Sequence, residues 1–212
     1  MSILFYAADP TPPDPFENFT GDDFTGTNGS PLNTNYWSVY GAYSDEWEIQ
    51  NNKASINLTT ENREALSVSL FTLPSDFDIQ IDIDSIVASN PGGAVIRFNT
   101  FDSGFHNGCF GGVQVISGVK NFHASHLTND VYDSQTNVAR ANDYGKLKIV
   151  RTGTNVVYSC QDGGGGWVQI KTKDQGSATT MFVYLHARSL PSTSITGNFD
   201  NFTINSGVVV AP

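Results

Sequence analysis

Apolar and polar residues alternate without a break from Asp76 to Asp84, in the run Asp-Phe-Asp-Ile-Gln-Ile-Asp-Ile-Asp. Period-two alternation marks a strand with one buried face. Phe77, Ile79, Ile81 and Ile83 are therefore expected to point inward, and Asp78, Gln80, Asp82 and Asp84 outward. The run Met181 to Arg188 behaves alike: Met181, Val183, Leu185 and Ala187 form the inward set, Phe182, Tyr184, His186 and Arg188 the outward one. Shorter runs predict strands over 46–50, 53–58, 64–71, 93–100, 111–116, 145–151, 155–160, 166–171 and 197–205. Turn signals separate them, among them Pro91-Gly92-Gly93, Ser117-Gly118, Thr152-Gly153-Thr154 and the glycine run Gly163 to Gly166. No window shows a 3.6-residue period, and 118–143 shows no pattern at all, so it is expected to be a long loop. Short antiparallel strands without helices predict a sandwich or barrel; the lack of a fixed repeat argues against a propeller.

Composition supports this. Of 21 acidic residues 16 are Asp and 5 Glu, a bias toward turns and away from helices. With 11 basic residues the formal net charge is −10, and no basic patch is present, which excludes an ordinary nucleic-acid binder. No apolar stretch approaches the length needed to cross a bilayer. At 212 residues the chain can bury its own core. Cys109 and Cys160 are too few for a disulfide scaffold; one bridge and two buried thiols are both open.

Both ends differ from the middle. Pro10, Pro12, Pro13 and Pro15 make residues 1–18 an extended arm, and its apolar tip, Ile3, Leu4, Phe5 and Tyr6, is expected to dock on its own domain or, as an assembly contact, on a neighbour. The tip is too short and lacks the basic flank of a signal peptide. Val208, Val209 and Val210 give residues 207–212 an apolar tail, a second expected assembly contact. The sandwich itself is placed at 19–206.

The segment Leu147-Lys148-Ile149-Val150-Arg151-Thr152-Gly153, followed by a strand, the acidic glycine-rich turn Asp162 to Gly166 and a strand opened by Trp167, resembles a meander of concanavalin-like (laminin-G-like) lectin and glucanase sandwiches. The opening Asp22-Asp23-Phe24-Thr25 and the closing Gly197 to Ile204 resemble the ends of such domains. The resemblance implies an all-β, antiparallel two-sheet jelly-roll sandwich with adjacent terminal strands.

This fold hosts glycosidases, but the E-x-D-x-(x)-E signature of laminarinase-like members is absent. Asp82 and Asp84 are its nearest analogue; two residues apart on a strand, they would lie about 6.6–6.8 Å apart, a spacing compatible only with inversion. The plainer expectation is a solvated face paired with Arg97 or Arg188. His123-x-x-His126 lacks further ligands and reads as two loop histidines. Asp22, Asp23 and Asp200 would converge if the terminal strands are neighbours, and are the candidate ligands of a structural calcium ion. Sugar binding needs aromatic faces beside planar polar groups. Phe182, Tyr184, His186 and Arg188 supply both, and Arg97, Asn99 and Gln114 share their outward parity; if the strands share a sheet, the seven form one platform beside Asp82 and Asp84. A loop or partner chain covering that face is the competing expectation. Four N-x-S/T sequons, at Asn18, Asn28, Asn57 and Asn201, are what chance gives.

Two functions follow as expectations, the first the main reading and the second its alternative. One is a non-enzymatic, lectin-like component of a larger assembly, such as a bacteriophage head-decoration or tail module, held to neighbouring subunits in a homo-oligomer and adhering to cell-surface glycan, in a virion or outside the cell. The other is a carbohydrate-binding module or glycoside hydrolase of the same fold.

Overall fold

The computed structural model describes residues 16–40, 46–59, 62–89, 93–176, 179–191 and 193–212. The arm tip Ile3, Leu4, Phe5 and Tyr6 lies outside the described residues, so its docking has no structural account. Phe16, which the sequence reading assigns to the arm, is already part of the core, packed on Phe19, Tyr36 and Phe71.

Sixteen strands are described: β1 Gly21–Asp22, β2 Trp37–Tyr40, β3 Trp47–Ile49, β4 Ala54–Leu58, β5 Glu64–Ser69, β6 Phe77–Ala88, β7 Ala94–Phe101, β8 Gly108–Ile116, β9 Val119–Thr128, β10 Val131–Tyr132, β11 Thr136–Ala139, β12 Gly145–Thr152, β13 Asn155–Asp162, β14 Val168–Asp174, β15 Phe182–Ser189 and β16 Ile195–Ser206. They make two antiparallel sheets. Sheet A runs β14-β13-β12-β6-β16-β4-β3, with β1 also on β16; sheet B runs β10-β9-β8-β7-β15-β5-β2, with β11 also on β9. The terminal strands are neighbours, Gly21 opposite Thr203 and Asp22 opposite Phe202.

The alternation explains the layering. Ile79, Ile81, Ile83, Leu147 and Ile149 of sheet A face Ile96, Phe98, Val113, Val183 and Leu185 of sheet B in one core. Each such side chain contributes about 1.5–3 kcal/mol by leaving water. An aromatic cluster of Phe19, Trp37, Phe71 and Phe202 closes one end. Tight turns hold the register. Asn51-Asn52 and Ser117-Gly118 adopt left-handed φ at both central positions, the geometry a type I′ hairpin needs.

The stretch 118–143 is not the expected loop. It holds β9, β10 and β11 and completes one edge of sheet B. Its pattern is unreadable because β9 buries polar His123, Ser125 and His126 alongside Phe122 and Ala124. The two histidines are thus not loop residues. The C-terminal tail folds back on its own domain: Val210 and Thr72 exchange backbone hydrogen bonds of 2.9 and 3.1 Å, and Val209 packs on the core, leaving Val208 exposed (59 %). Cys109 and Cys160 are free, buried thiols.

Candidate functional site

The outer face of sheet B carries the predicted polar and aromatic set. Register fixes its rows. Leu66, His186, Arg97, Gly112, His123 and Asn137 align across β5, β15, β7, β8, β9 and β11. The next row holds Tyr184, Asn99 and Phe110; the row on the other side holds Glu64, Arg188 and Gln114. A Cβ on Gly112 would come within 1.9 Å of the Ile96 carbonyl oxygen, so only glycine fits that close approach of β7 and β8.

All seven predicted platform residues therefore share one sheet, but they play different parts. Asn99 is buried, its Oδ1 accepting the Gly111 N–H at 3.2 Å. Gln114 is buried too, donating to Asn137 Oδ1 at 3.2 Å and accepting from Gln135 Nε2 at 3.1 Å. Tyr184 is covered by Phe101 and Phe105, at ring distances of 5.7 and 5.5 Å, and Phe182 stands at the strand's start opposite Phe101. The cover expected as the alternative is thus partly real, and it comes from the chain's own 102–107 loop. Asp102 holds that loop: its carboxylate accepts the N–H groups of His106 (2.8 Å) and Asn107 (3.1 Å). Phe105 at its tip has φ 57°, a left-handed conformation costly for an aromatic residue.

What stays open is a depression of about 350 Å³. One wall is aromatic. Phe110 and Tyr132 meet edge to face (5.4 Å, 76°), with Tyr132 65 % exposed and Phe105 38 %. The other wall is Arg97, His186, Glu64 and Arg188. Glu64, Phe105, Phe110 and Tyr132 were not predicted. Phe110 shares the parity of Gln114 and was findable; the others come from a neighbouring strand, a loop and the unread stretch.

The polar wall has a definite electrostatic order. Arg97 Nη1 lies 3.5 Å from His186 Nδ1, and His186 Nε2 lies 2.8 Å from Glu64 Oε1. A guanidinium only donates, so Nδ1 must accept, which puts the imidazole proton on Nε2, facing Glu64. An accepting Nδ1 makes the ring the neutral tautomer, and burial, only partly opposed by the contact with Glu64, pushes the His186 pKa down in the same sense. Hydrogen bonding to His186, helped by Arg188 and Arg97, holds Glu64 below the usual carboxylate range. Arg97 stacks 5.7 Å from the Phe110 ring centre, and its buried Nε has no hydrogen-bond partner. Among the described residues neither Arg97 nor Arg188 has a carboxylate within 4 Å.

Two expectations are corrected. Asp82 and Asp84 are not beside this platform: they lie on β6, on the outer face of sheet A. Their partners are Lys146 (2.6 Å from Asp82) and Lys53 (on Asp84), not Arg97 or Arg188. Parity reports a face, not a sheet. Asp22, Asp23 and Asp200 do not assemble into a metal cluster, and no group of three or more metal-ligating side chains exists among the described residues. Asp22 instead accepts from the Phe24 N–H and from Trp37 Nε1, both at 2.8 Å. Asp23 accepts from Thr25, and Asp200 pairs in register with Asp82.

No family model matches the chain, and no curated protein matches its sequence. Solved structures do match its shape. A Bacillus licheniformis β-glucanase superposes with a TM-score of 0.64 at 13% identity, over 87% of this chain and 96% of that one. The carbohydrate-binding module CBM66 of Bacillus subtilis does so at 0.57 and 17%, over 82% and 98%. Rv0315 of Mycobacterium tuberculosis, an immunostimulatory antigen and pseudo β-1,3-glucanase, gives 0.62 and 10%, over 92% and 98%. At such identities the likeness establishes the fold, a concanavalin-like antiparallel β-sandwich that glucanases and a sugar-binding module have in common.

Proposed function

We propose that this domain is a non-catalytic carbohydrate-binding module whose ligand rests in the depression on sheet B. The observation that carries the reading is the pairing of an aromatic wall, half-buried Phe110 and exposed Tyr132, with planar polar groups, Arg97 and Glu64, across one shallow site. Sugar rings present C–H faces to aromatics and hydroxyls to planar hydrogen-bonding groups, and this wall offers both. A hydrolase of the two-carboxylate type needs a second acid across the scissile bond. Among the described residues Glu64 is the one acidic residue lining the depression, and it is engaged with His186.

The assembly reading, with its bacteriophage setting, rests on the two chain ends. Residues 1–15 lie outside the described residues, and Val209 and Val210 pack on their own domain, so the sugar-binding reading has the better support.

The test is calorimetric titration against a polysaccharide panel, with Phe110→Ala and Tyr132→Ala as variants. Each is expected to weaken binding about tenfold, the worth of one good aromatic contact. Binding that ignores both substitutions would remove the site. Steady release of reducing sugar, abolished in Glu64→Gln, would make the domain an enzyme.

A further inference from the structure

We propose that the sugar taken by this depression is acidic, bearing a single negative charge per ring, and that Arg97 and Arg188 receive that charge. The inference deepens the sugar-binding reading and rests on it. Arg97 offers five N–H donors, yet among the described residues its only side-chain contact within hydrogen-bonding range is the 3.5 Å approach to His186 Nδ1. Its Nε is buried with no partner. A guanidinium sunk this far into a wall is normally paired, because desolvating a charge without a counter-charge is costly. Arg188, on the adjacent strand, has no hydrogen-bond partner or ion pair among the described residues, and its exposed side chain borders the same depression. The chain as a whole carries −10, so acids to pair with are plentiful; among the described residues none is placed there except Glu64.

The charge count sets the ligand class. Two guanidiniums and the Glu64 carboxylate, with His186 neutral, leave a net +1 at the polar wall. A monoanion balances that. A phosphomonoester, at about −1.5 to −2, overshoots it and crowds Glu64. The planar fork of Arg matches a carboxylate's two oxygens, while Glu64 beside it accepts ring hydroxyls. A uronate or a singly sulfated sugar stacked on Phe110 fulfils every one of these demands.

The experiment titrates the whole protein with uronate-containing and sulfated polysaccharides. Each is paired with its own neutral form, made by reducing the carboxylates to alcohols or by desulfation. At least one acidic polymer is expected to bind about tenfold or more tighter than its neutral form. The gap should shrink at high salt, narrow in Arg188→Gln, an exposed position that leaves the fold intact, and narrow further in Arg97→Gln. Whether carboxylate or sulfate is preferred shows which acid supplies the charge. Equal binding of acidic and neutral forms, or an acidic preference that survives both Arg substitutions, overturns the inference. Neutral binding that still depends on Phe110 and Tyr132 would overturn it while leaving the sugar site standing. No binding by any polymer would end both.

Discussion

Tyr158 Oη donates a 3.0 Å hydrogen bond to the Phe98 carbonyl oxygen, crossing the interior from sheet A to sheet B. Gly111, the strand neighbour of Phe98, makes room for it: a Cβ there would lie 3.0 Å from Tyr158 Cζ and 2.4 Å from the His123 carbonyl oxygen. Tyr158→Phe is expected to cost about 1 kcal/mol by removing the bond, and Gly111→Ala about 1–3 kcal/mol by overpacking. Both act on one ring, so the double variant should not be additive. Urea unfolding checks all three. A Gly111→Ala midpoint equal to that of the parent would mean β8 shifts freely away from Tyr158.

Arg151, the arginine of the meander that resembles concanavalin-like sandwiches, is buried where a core residue would sit. It donates to the carbonyl oxygens of Leu73 (3.3 Å), Ser75 and Thr179, and lies over the Phe77 ring at 4.9 Å. One side chain thus ties two connecting segments to β12. Arg151→Met keeps the volume but takes the donor from the Ser75 and Thr179 carbonyls, while the Leu73 carbonyl keeps the Met181 N–H at 3.1 Å; it should cost about 2–4 kcal/mol. Arg151→Lys should recover only part of this, since an ammonium lacks the planar fork. Full stability in Arg151→Met, measured by urea unfolding, would mean water replaces the guanidinium at no cost.

The loop that lays Phe105 over Tyr184 depends on Asp102, whose Oδ2 also accepts from Asn107 Nδ2 at 3.0 Å. Asp102→Ala is expected to release the loop, cost about 1–2 kcal/mol in lost hydrogen bonds, and weaken ligand binding several-fold. Near-ultraviolet dichroism should report a freer Tyr184. Unaltered affinity would place the loop outside the ligand's footprint.

Acid should destabilise the domain earlier than its carboxylates alone would. Burial, the leading cause in each case, pushes His123 to about 3 and His126 to about 4 from an ordinary value of 6.5, and pushes His186 down as well. A histidine whose pKa falls on folding stabilises fully above pH 6.5. That contribution is lost as pH falls from 6.5 through the folded value, at up to about 1.4 kcal/mol per pH unit for each ring. Glu64 and Asp133, both lowered, add their losses only at more acidic pH. His106, raised by Asp130, acts oppositely, losing its contribution as pH rises through its folded value. The unfolding free energy should therefore drop between pH 6.5 and 4, and the drop should be shallower in His126→Leu. An unchanged slope in that variant would show that His126 protonates alike in both states.

Alternation made β6 and β15 legible, and parity alone brought Arg97, Asn99, Gln114, Tyr184, His186 and Arg188 to one face. Parity cannot say which sheet a strand joins, which is why Asp82 and Asp84 were set beside a platform they do not touch. Nor does it report neighbours: Glu64 and Tyr132 reach the depression only because β5 and β10 fall where they do in sheet B. The unread stretch did hold one usable signal. Asn129 and Asp130 both take left-handed φ in the two-residue turn between β9 and β10, the residue types a type I′ turn favours. Its strands stayed hidden because burying His123, Ser125 and His126 erases the contrast on which alternation depends.

The two thiols offer the last check, and it bears on the core. Cys109 on β8 and Cys160 on β13 are buried and unpaired. Burial pushes the Cys109 thiol well above its usual range and Cys160 to about 11. Only the thiolate attacks a disulfide reagent, so neither should react with Ellman's reagent at pH 8 while the domain is folded. In denaturant without reductant both should titrate; fewer than two would reveal a bridge and contradict the structure. Because Cys109 behaves as a small hydrophobe, Cys109→Ala should cost little, while Cys109→Ser, which brings a hydroxyl into the core, should cost about 1–3 kcal/mol. The reverse order would mean that the space between β8 and β13 is wet, and that the two sheets do not share one dry core.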